Sequence, residues 1–164
     1  MNESFFVHGL PAPQGSKSAF VRGGRAVIVD ASSKTGREKH HNWRNDVMVG
    51  ATKMLEQGCA KFTGPTGLRV DFYLPLPKSD QHRTRHISAP DLDKLVRSVG
   101  DALTNSGIVS DDSVFCEILA TKQYARDTQP IGALIRLTDL SGYENDDRVA
   151  SKALTKQRKK LNAR

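Results

Sequence analysis

The run from Leu68 to Leu74 alternates strictly between apolar and polar side chains, which predicts a β-strand with one buried face. A second regular pattern follows it, because apolar side chains recur at helical spacing through Leu92, Leu95, Val96, Val99 and Leu103. This stripe stops before Asn105-Ser106-Gly107, a typical helix end. A chain that changes from period 2 to period 3.6 in this way is expected to pack a helix on a sheet.

Weaker patterns add further elements. Short strands are predicted at 5–10, 26–29, 114–124 and 133–137, and an amphipathic helix at 37–57, with Trp43 on its apolar stripe. The order β, β, α, β, α, β, β predicts an α+β fold, a two-layer sandwich with the helices on one face of a mixed sheet. Residues 1–140 are expected to form one domain, and residues 141–164 a basic, flexible C-terminal tail.

The formal charge of +7 and the pI of about 9.6 favour a polyanionic partner such as DNA. The tail holds seven basic and three acidic residues, a net +4, so the body is only mildly basic. Neither a signal peptide nor a long apolar segment is present, which predicts a cytoplasmic protein. Cys59 and Cys116 have no metal-site spacing and are expected to be reduced thiols.

Asp91 and Asp93 flank Leu92 directly after Pro90, where the second predicted helix begins. Residues two apart on a regular helix point about 200° apart, so both carboxylates can share an ion only if Asp91 is at or before the N-cap. Mg²⁺ prefers such carboxylate oxygens, with water completing its shell. The alternative is simple capping, since Asp is favoured at N-caps and in first helical turns.

Asp111-Asp112 stands just before a predicted strand, and a helix-turn-strand return is expected to bring Asp112 beside the first pair. Converging carboxylates repel, which favours a cation at this point, although Asp is also common in plain turns. Arg97, four residues after Asp93, is placed either to hold a phosphate or to make surface ion pairs with Asp93 and Asp101.

These segments resemble the RusA family of Holliday-junction resolvases in order and spacing. The matching strings are PDLDKLVRSVGDAL at 90–103, IVSDD at 108–112 and PAPQGSK at 11–17, within a likeness from about Val7 to Leu137. The resemblance implies a homodimeric, Mg²⁺-dependent endodeoxyribonuclease, with Mn²⁺ as a substitute ion, that resolves four-way DNA junctions by paired symmetric nicks during recombination and repair. It assigns the three catalytic, metal-binding aspartates to Asp91, Asp93 and Asp112, and the essential basic residue to Arg97, where lysine is usual.

Several basic side chains are candidate DNA contacts: Lys17, Lys78, Arg83, Arg85 and Lys94. Lys17 ends a Gly-Ser-Lys loop that suits phosphate but is also an ordinary turn, and the 75–90 stretch is expected to be an exposed, mobile loop, with His82 and His86 in solvent. Two alternatives stay open: a non-catalytic DNA-binding protein whose aspartates only cap, and a nuclease that acts on other branched DNA.

Overall fold

The computed structural model describes residues 2–15, 17–30, 34–77 and 85–142. Its elements are six strands, two helices and one 3₁₀ turn at Asp112–Val114. The strands are β1 (Asn2–His8), β2 (Lys17–Arg22), β3 (Arg25–Asp30), β4 (Thr66–Leu74), β5 (Phe115–Tyr124) and β6 (Gly132–Asp139). The helices are α1 (Lys34–Glu56) and α2 (Leu92–Ser106).

Four strands form the main sheet in the order β1-β6-β4-β5. Pairing is antiparallel between β1 and β6 and between β6 and β4, whereas β4 and β5 run parallel. Parallel neighbours cannot be joined by a tight turn, so α2 runs back along the sheet as the crossover between them. The beginning of α2 therefore lies at the edge where β4 and β5 end, and its end lies at the edge where both begin.

The core lies between this sheet and the two helices. Leu68, Val70, Phe72 and Leu74 of β4 are each at most 2% exposed, as the alternation of that strand predicts. α1 buries Trp43, Val47 and Ala51, and α2 buries Leu95, Val99 and Leu103. Each large side chain removed from water in this way contributes roughly 1.5–3 kcal/mol. The expected α+β fold, a mixed sheet with two helices, is confirmed.

α2 begins where its sequence predicts and ends two residues beyond the predicted stop before Asn105. Asp91 is the N-cap in an extended conformation, and Gly107 caps the C-terminus with φ of 77°, a left-handed conformation that favours glycine. Between 17 and 30 the sequence predicts one strand in a small hairpin, and the structure has two paired strands in a separate sheet. The proposed tail lies outside the described residues from 143 onward, so its flexibility stays a prediction.

Candidate active site

The turn that leads into α2 is fixed from β5. The Lys122 ammonium donates hydrogen bonds to the carbonyl oxygens of Ser88, at 2.7 Å, and Pro90, at 2.8 Å. Leu92 packs against the core on the other side of the same turn. Two independent contacts therefore hold the backbone on either side of Asp91, and the position of its carboxylate is fixed relative to the sheet.

Asp91 occupies the N-cap position, but its carboxylate makes no capping hydrogen bond. Its backbone carbonyl accepts the amide of Leu95 at 3.2 Å, while Oδ2 accepts a hydrogen bond from the Lys94 ammonium at 2.8 Å. This bond and the charge of Lys94 lower the pKa of Asp91, and the same bond and the charge of Asp91 raise the pKa of Lys94. The carboxylate is thus ionised, exposed and already paired with a cation, which argues against capping as its main role.

Asp93 and Arg97 are both exposed on the first two turns of α2. The sequence leaves open whether Arg97 makes ion pairs with Asp93 and Asp101. Over the described ranges neither pair forms, and Asp101 instead lies 4.0 Å from the Arg44 guanidinium of α1. Arg97 therefore presents its guanidinium to solvent within two turns of the Asp91-Asp93 pair. A role for Arg97 in holding a DNA phosphate beside these carboxylates requires this arrangement.

Asp112 lies far from the other two aspartates. It begins the 3₁₀ turn that precedes β5, at the edge where β5 starts, whereas Asp91 lies near Lys122 at the edge where β5 ends. α2 alone, with 15 residues, separates these edges by about 22 Å. In the part of the chain that is described, no three His, Cys, Asp or Glu residues are grouped closely enough to hold a metal ion.

The expectation that Asp112 returns beside Asp91 and Asp93 within one chain is therefore wrong. A helix-turn-strand return does occur, but in a parallel β4-α2-β5 crossover it ends at the opposite edge of the sheet. The neighbouring Asp111 acts as an ordinary cap, since its carboxylate accepts the amide of Ser113 at 2.9 Å and has a lowered pKa for that reason. Asp112 itself is exposed.

The N-terminal loop lies against the beginning of α2. The amide of Gln14 donates to the carbonyl oxygen of Lys94 at 3.1 Å. A cavity of about 490 Å³ separates this loop from the turn before α2 and is lined by Gly15 and Pro90 among others. The loop that precedes Lys17 therefore adjoins the Asp91-Asp93 pair, although the side chain of Lys17 is outside what the structure describes.

The predicted DNA contacts of the 75–90 loop have mixed outcomes. Lys78 and Arg83 fall outside the described residues, whereas Arg85 is exposed and forms a bridge with Gln123 of β5. His86 is only 9% exposed and packs on the Tyr124 ring, with centroids 4.8 Å apart, so its expected solvent exposure is wrong. Burial and the nearby Lys122 charge lower the pKa of His86.

A polar cluster on the sheet face opposite the helices has no counterpart in the sequence-based site. Asp71 is 6% exposed and accepts hydrogen bonds from Thr121, at 2.7 Å, Arg69, at 3.2 Å, and Arg136. Burial pushes the pKa of Asp71 up, but these three donors outweigh it and the pKa is lowered. Arg85 lines the same cleft, so this face is rich in guanidinium groups.

The protein has an α+β fold. Exposed carboxylates lie at the beginning of α2, and several arginines lie on the same protein's surface. The sequence model of the family described as Endodeoxyribonuclease RusA matches residues 16–135, most of the chain. The chain therefore belongs to the RusA family of endodeoxyribonucleases, hydrolases that act on DNA and resolve Holliday junctions, generally with a divalent metal. It is also similar to the uncharacterized protein YqaN of Bacillus subtilis (strain 168), with 28% identity over 134 residues, 75% of this chain and 88% of that protein.

No helix of the described part is long and apolar enough to cross a membrane.

Proposed function

We propose that this protein is a Mg²⁺-dependent endonuclease that resolves four-way DNA junctions by paired symmetric nicks. Asp91, Asp93 and Asp112 are its catalytic carboxylates, and Arg97 stabilises phosphate charge. The observation that carries the proposal is the state of Asp91: a carboxylate at an N-cap that forms no capping bond and instead holds an ammonium at 2.8 Å. Because this carboxylate forms no capping bond, a metal cation can replace the ammonium without breaking a hydrogen bond that stabilises the helix.

The donors suit a hard divalent cation, because they are exposed carboxylate oxygens with room for water around them. A bound Mg²⁺ would activate a water molecule and neutralise charge on the scissile phosphate. The residues of this chain bind and orient the substrate: Arg97 holds phosphate oxygens, and Lys94, once released from Asp91, pairs with the DNA backbone. Lys17 and Arg85 extend these contacts, as do Lys78 and Arg83 of the loop before α2. Arg97 orients and neutralises but does not transfer a proton, because its pKa is too high.

We account for the separation of Asp112 from the other aspartates by assembly of each site from two chains. One chain holds Asp91 and Asp93 at one edge of the sheet and Asp112 at the other, about 22 Å away along α2. A twofold axis can place the opposite edges of two copies side by side, and in such a dimer Asp112 of one subunit completes the carboxylate set of its partner. A homodimer then has two equivalent sites, which suits symmetric cleavage of a four-way junction.

The first test compares cleavage of a labelled synthetic four-way junction and of linear duplex in Mg²⁺, in Mn²⁺ and in EDTA. We expect cleavage of the junction that requires the metal and is lost in Asp93→Asn, while Asp101→Asn on the same helix stays active. If the wild type binds the junction but never cuts it, the protein is a non-catalytic DNA-binding protein. If flap or other branched DNA is cut in preference, the nuclease assignment stands and the junction specificity is wrong.

The second test asks whether the site is shared between subunits. We expect the Asp93→Asn and Asp112→Asn proteins each to be inactive when tested alone. The two proteins are then mixed under conditions that allow subunit exchange. In a shared arrangement the mixed dimer regains one intact site, with Asp93 from one subunit and Asp112 from the other. This dimer then cuts one strand of the junction and not two. In an unshared arrangement both sites of the mixed dimer contain a substitution, so continued inactivity after verified exchange would exclude the shared site.

A further inference from the structure

The two helices pack on one face of the main sheet and leave the other face to the strands themselves. Side chains alternate along each strand, and those of Val7, Phe72 and Ile135 point into the core that the helices cover. The residues on either side of these three therefore lie on the opposite face. We define this open face by six residues: Phe6 and His8 of β1, Arg69, Asp71 and Tyr73 of β4, and Arg136 of β6.

A polar cleft of about 560 Å³ lies on the open face, between Arg69, Arg136 and Arg85. Asp71 holds two of these guanidinium groups, since its Oδ2 accepts a hydrogen bond from Nε of Arg69 and another from Nη1 of Arg136. The side chains of Arg69 and Arg136 are still 50% and 38% exposed, so their other N–H groups are accessible to a ligand. Three guanidinium groups against one carboxylate give this cleft a net positive charge, which attracts an anion.

A row of aromatic rings adjoins the arginine cleft. The centroid of the Phe6 ring lies 4.8 Å from that of His8 and 6.1 Å from that of Tyr73. The Phe6 ring lies over Gly132, which pairs with both His8 and Tyr73, and a Cβ at Gly132 would lie 2.8 Å from that ring. His8 is exposed, Phe6 and Tyr73 are half-buried, and Tyr73 also lines the cleft. The aromatic row and the arginine cleft are therefore one continuous surface.

We propose that the open face binds a single strand of DNA, with phosphates in the arginine cleft and unpaired bases stacked on Phe6 and Tyr73. Guanidinium groups suit phosphate because they donate two parallel hydrogen bonds, and aromatic rings stack on bases of any sequence. A duplex keeps its bases paired inside, so it can use the cleft but not the aromatic row. A second copy of this face is a poorer occupant, because it would bring arginines against arginines.

The open face leads to the beginning of α2, where two of the proposed catalytic carboxylates lie. Tyr73 is the second-last residue of β4, which ends at the edge of the sheet where α2 begins. Arg85 bridges Gln123 of β5, lines the cleft and stands six residues before Asp91. Six residues reach at most about 20 Å, which corresponds to about six nucleotides of one strand. An unpaired strand of a branched substrate is then held within a few nucleotides of the proposed cut.

Binding on the open face requires neither a metal ion nor the three aspartates, so it goes beyond the proposed function and is measured in EDTA. The probes are a fluorescent oligothymidylate of about 12 nucleotides and a duplex of the same length, followed by anisotropy. We expect Phe6→Leu and Tyr73→Leu each to weaken single-strand binding at least about fivefold and to leave duplex binding unchanged. Leucine keeps an apolar cover over Gly132, and an unchanged circular dichroism spectrum shows that the fold is kept.

The salt dependence of the same binding tests the arginine cleft. Arg69→Gln should lower the slope of log affinity against log salt concentration by about 0.7, the value for one phosphate contact on a single strand. The two leucine variants should keep the wild-type slope, as should Lys53→Gln, the control for charge, since Lys53 is exposed in the last turn of α1. Wild-type affinity in both leucine variants, or an equal loss on single strand and duplex, would overturn the single-strand assignment.

Photocrosslinking locates the strand without any substitution in the protein. An oligonucleotide that carries iodouracil is irradiated with the wild type in EDTA, and the crosslinked peptides are identified by mass spectrometry. They should contain Phe6 or Tyr73. Crosslinks confined to residues 85–97 would place the strand at the beginning of α2 and exclude the open face.

These measurements separate the open face from the catalytic proposal. A protein that binds the single strand as expected but never cuts a junction in Mg²⁺ would keep the open-face site and remove the proposed nuclease. The reverse result is metal-dependent junction cleavage that is lost in Asp93→Asn, together with single-strand binding that Phe6→Leu and Tyr73→Leu do not change.

Discussion

Replacing Lys122 with methionine tests whether the turn before Asp91 is held from β5. The substitution keeps the length of the side chain and removes two hydrogen bonds, to Ser88 at 2.7 Å and to Pro90 at 2.8 Å. Hydrogen bonds to a charged group contribute about 1.5–3 kcal/mol each, but one of these is exposed and the other only partly buried, so the expected local loss is about 1–2 kcal/mol. That loss raises the open population of the turn about 5- to 30-fold.

Hydrogen exchange followed by mass spectrometry on peptides covering 85–95 measures this opening directly. Exchange should accelerate in Lys122→Met and return to the wild-type rate in Lys122→Arg, which can donate to both carbonyls. Junction cleavage should fall about tenfold if the turn loses about 1.4 kcal/mol of ordering at Asp91. Lys61→Met, an exposed lysine away from the turn, is the control. Unchanged exchange in Lys122→Met would refute a role for these bonds in positioning Asp91.

Two further predictions concern stability. Asp71→Asn should lower the free energy of unfolding by about 2 kcal/mol at pH 7, because the lowered pKa of Asp71 stabilises the fold above the unfolded value of about 3.9. The difference from wild type in urea denaturation should shrink as the pH falls below 3.9, and a difference that does not depend on pH would contradict the ion-pair explanation. Gly132→Ala should cost at least about 1 kcal/mol, because φ is 153° and a Cβ there would collide with the carbonyl oxygen of Val7, whereas Gly142→Ala, with open space, should leave the melting temperature unchanged.

The elements that the sequence predicts best are those whose periodicity is set by burial on one side. β4 and α2 each bury one face against the core along their whole length, so Leu68, Val70, Leu95 and Val99 recur at the expected spacing. The N-cap position of Asp91 followed from similar local reasoning, because Pro90 and the first apolar residue of the stripe bracket it.

The parts that were missed depend on contacts between distant residues. Periodicity predicts that 114–124 is a strand but not its direction, and the direction of β5 decides on which edge Asp112 lies. The burial of Asp71 needs donors 50 and 65 residues further along the chain. His86 looked solvent-exposed because its neighbours are polar, and only its packing on Tyr124 buries it.

The separation of Asp112 from Asp91 and Asp93 has a thermodynamic consequence in the proposed dimer. Three carboxylates in one place repel one another, so a single chain that keeps them at opposite edges avoids that cost when no metal is bound. In the proposed dimer, association would bring them together, and a bound cation would compensate the repulsion. Because coupling between two binding equilibria is reciprocal, Mg²⁺ strengthens dimerisation by the same factor by which dimerisation strengthens Mg²⁺ binding. In the proposed dimer, cleavage would then require both the second subunit and the metal, and nicking would be restricted to the assembly whose symmetry matches a four-way junction.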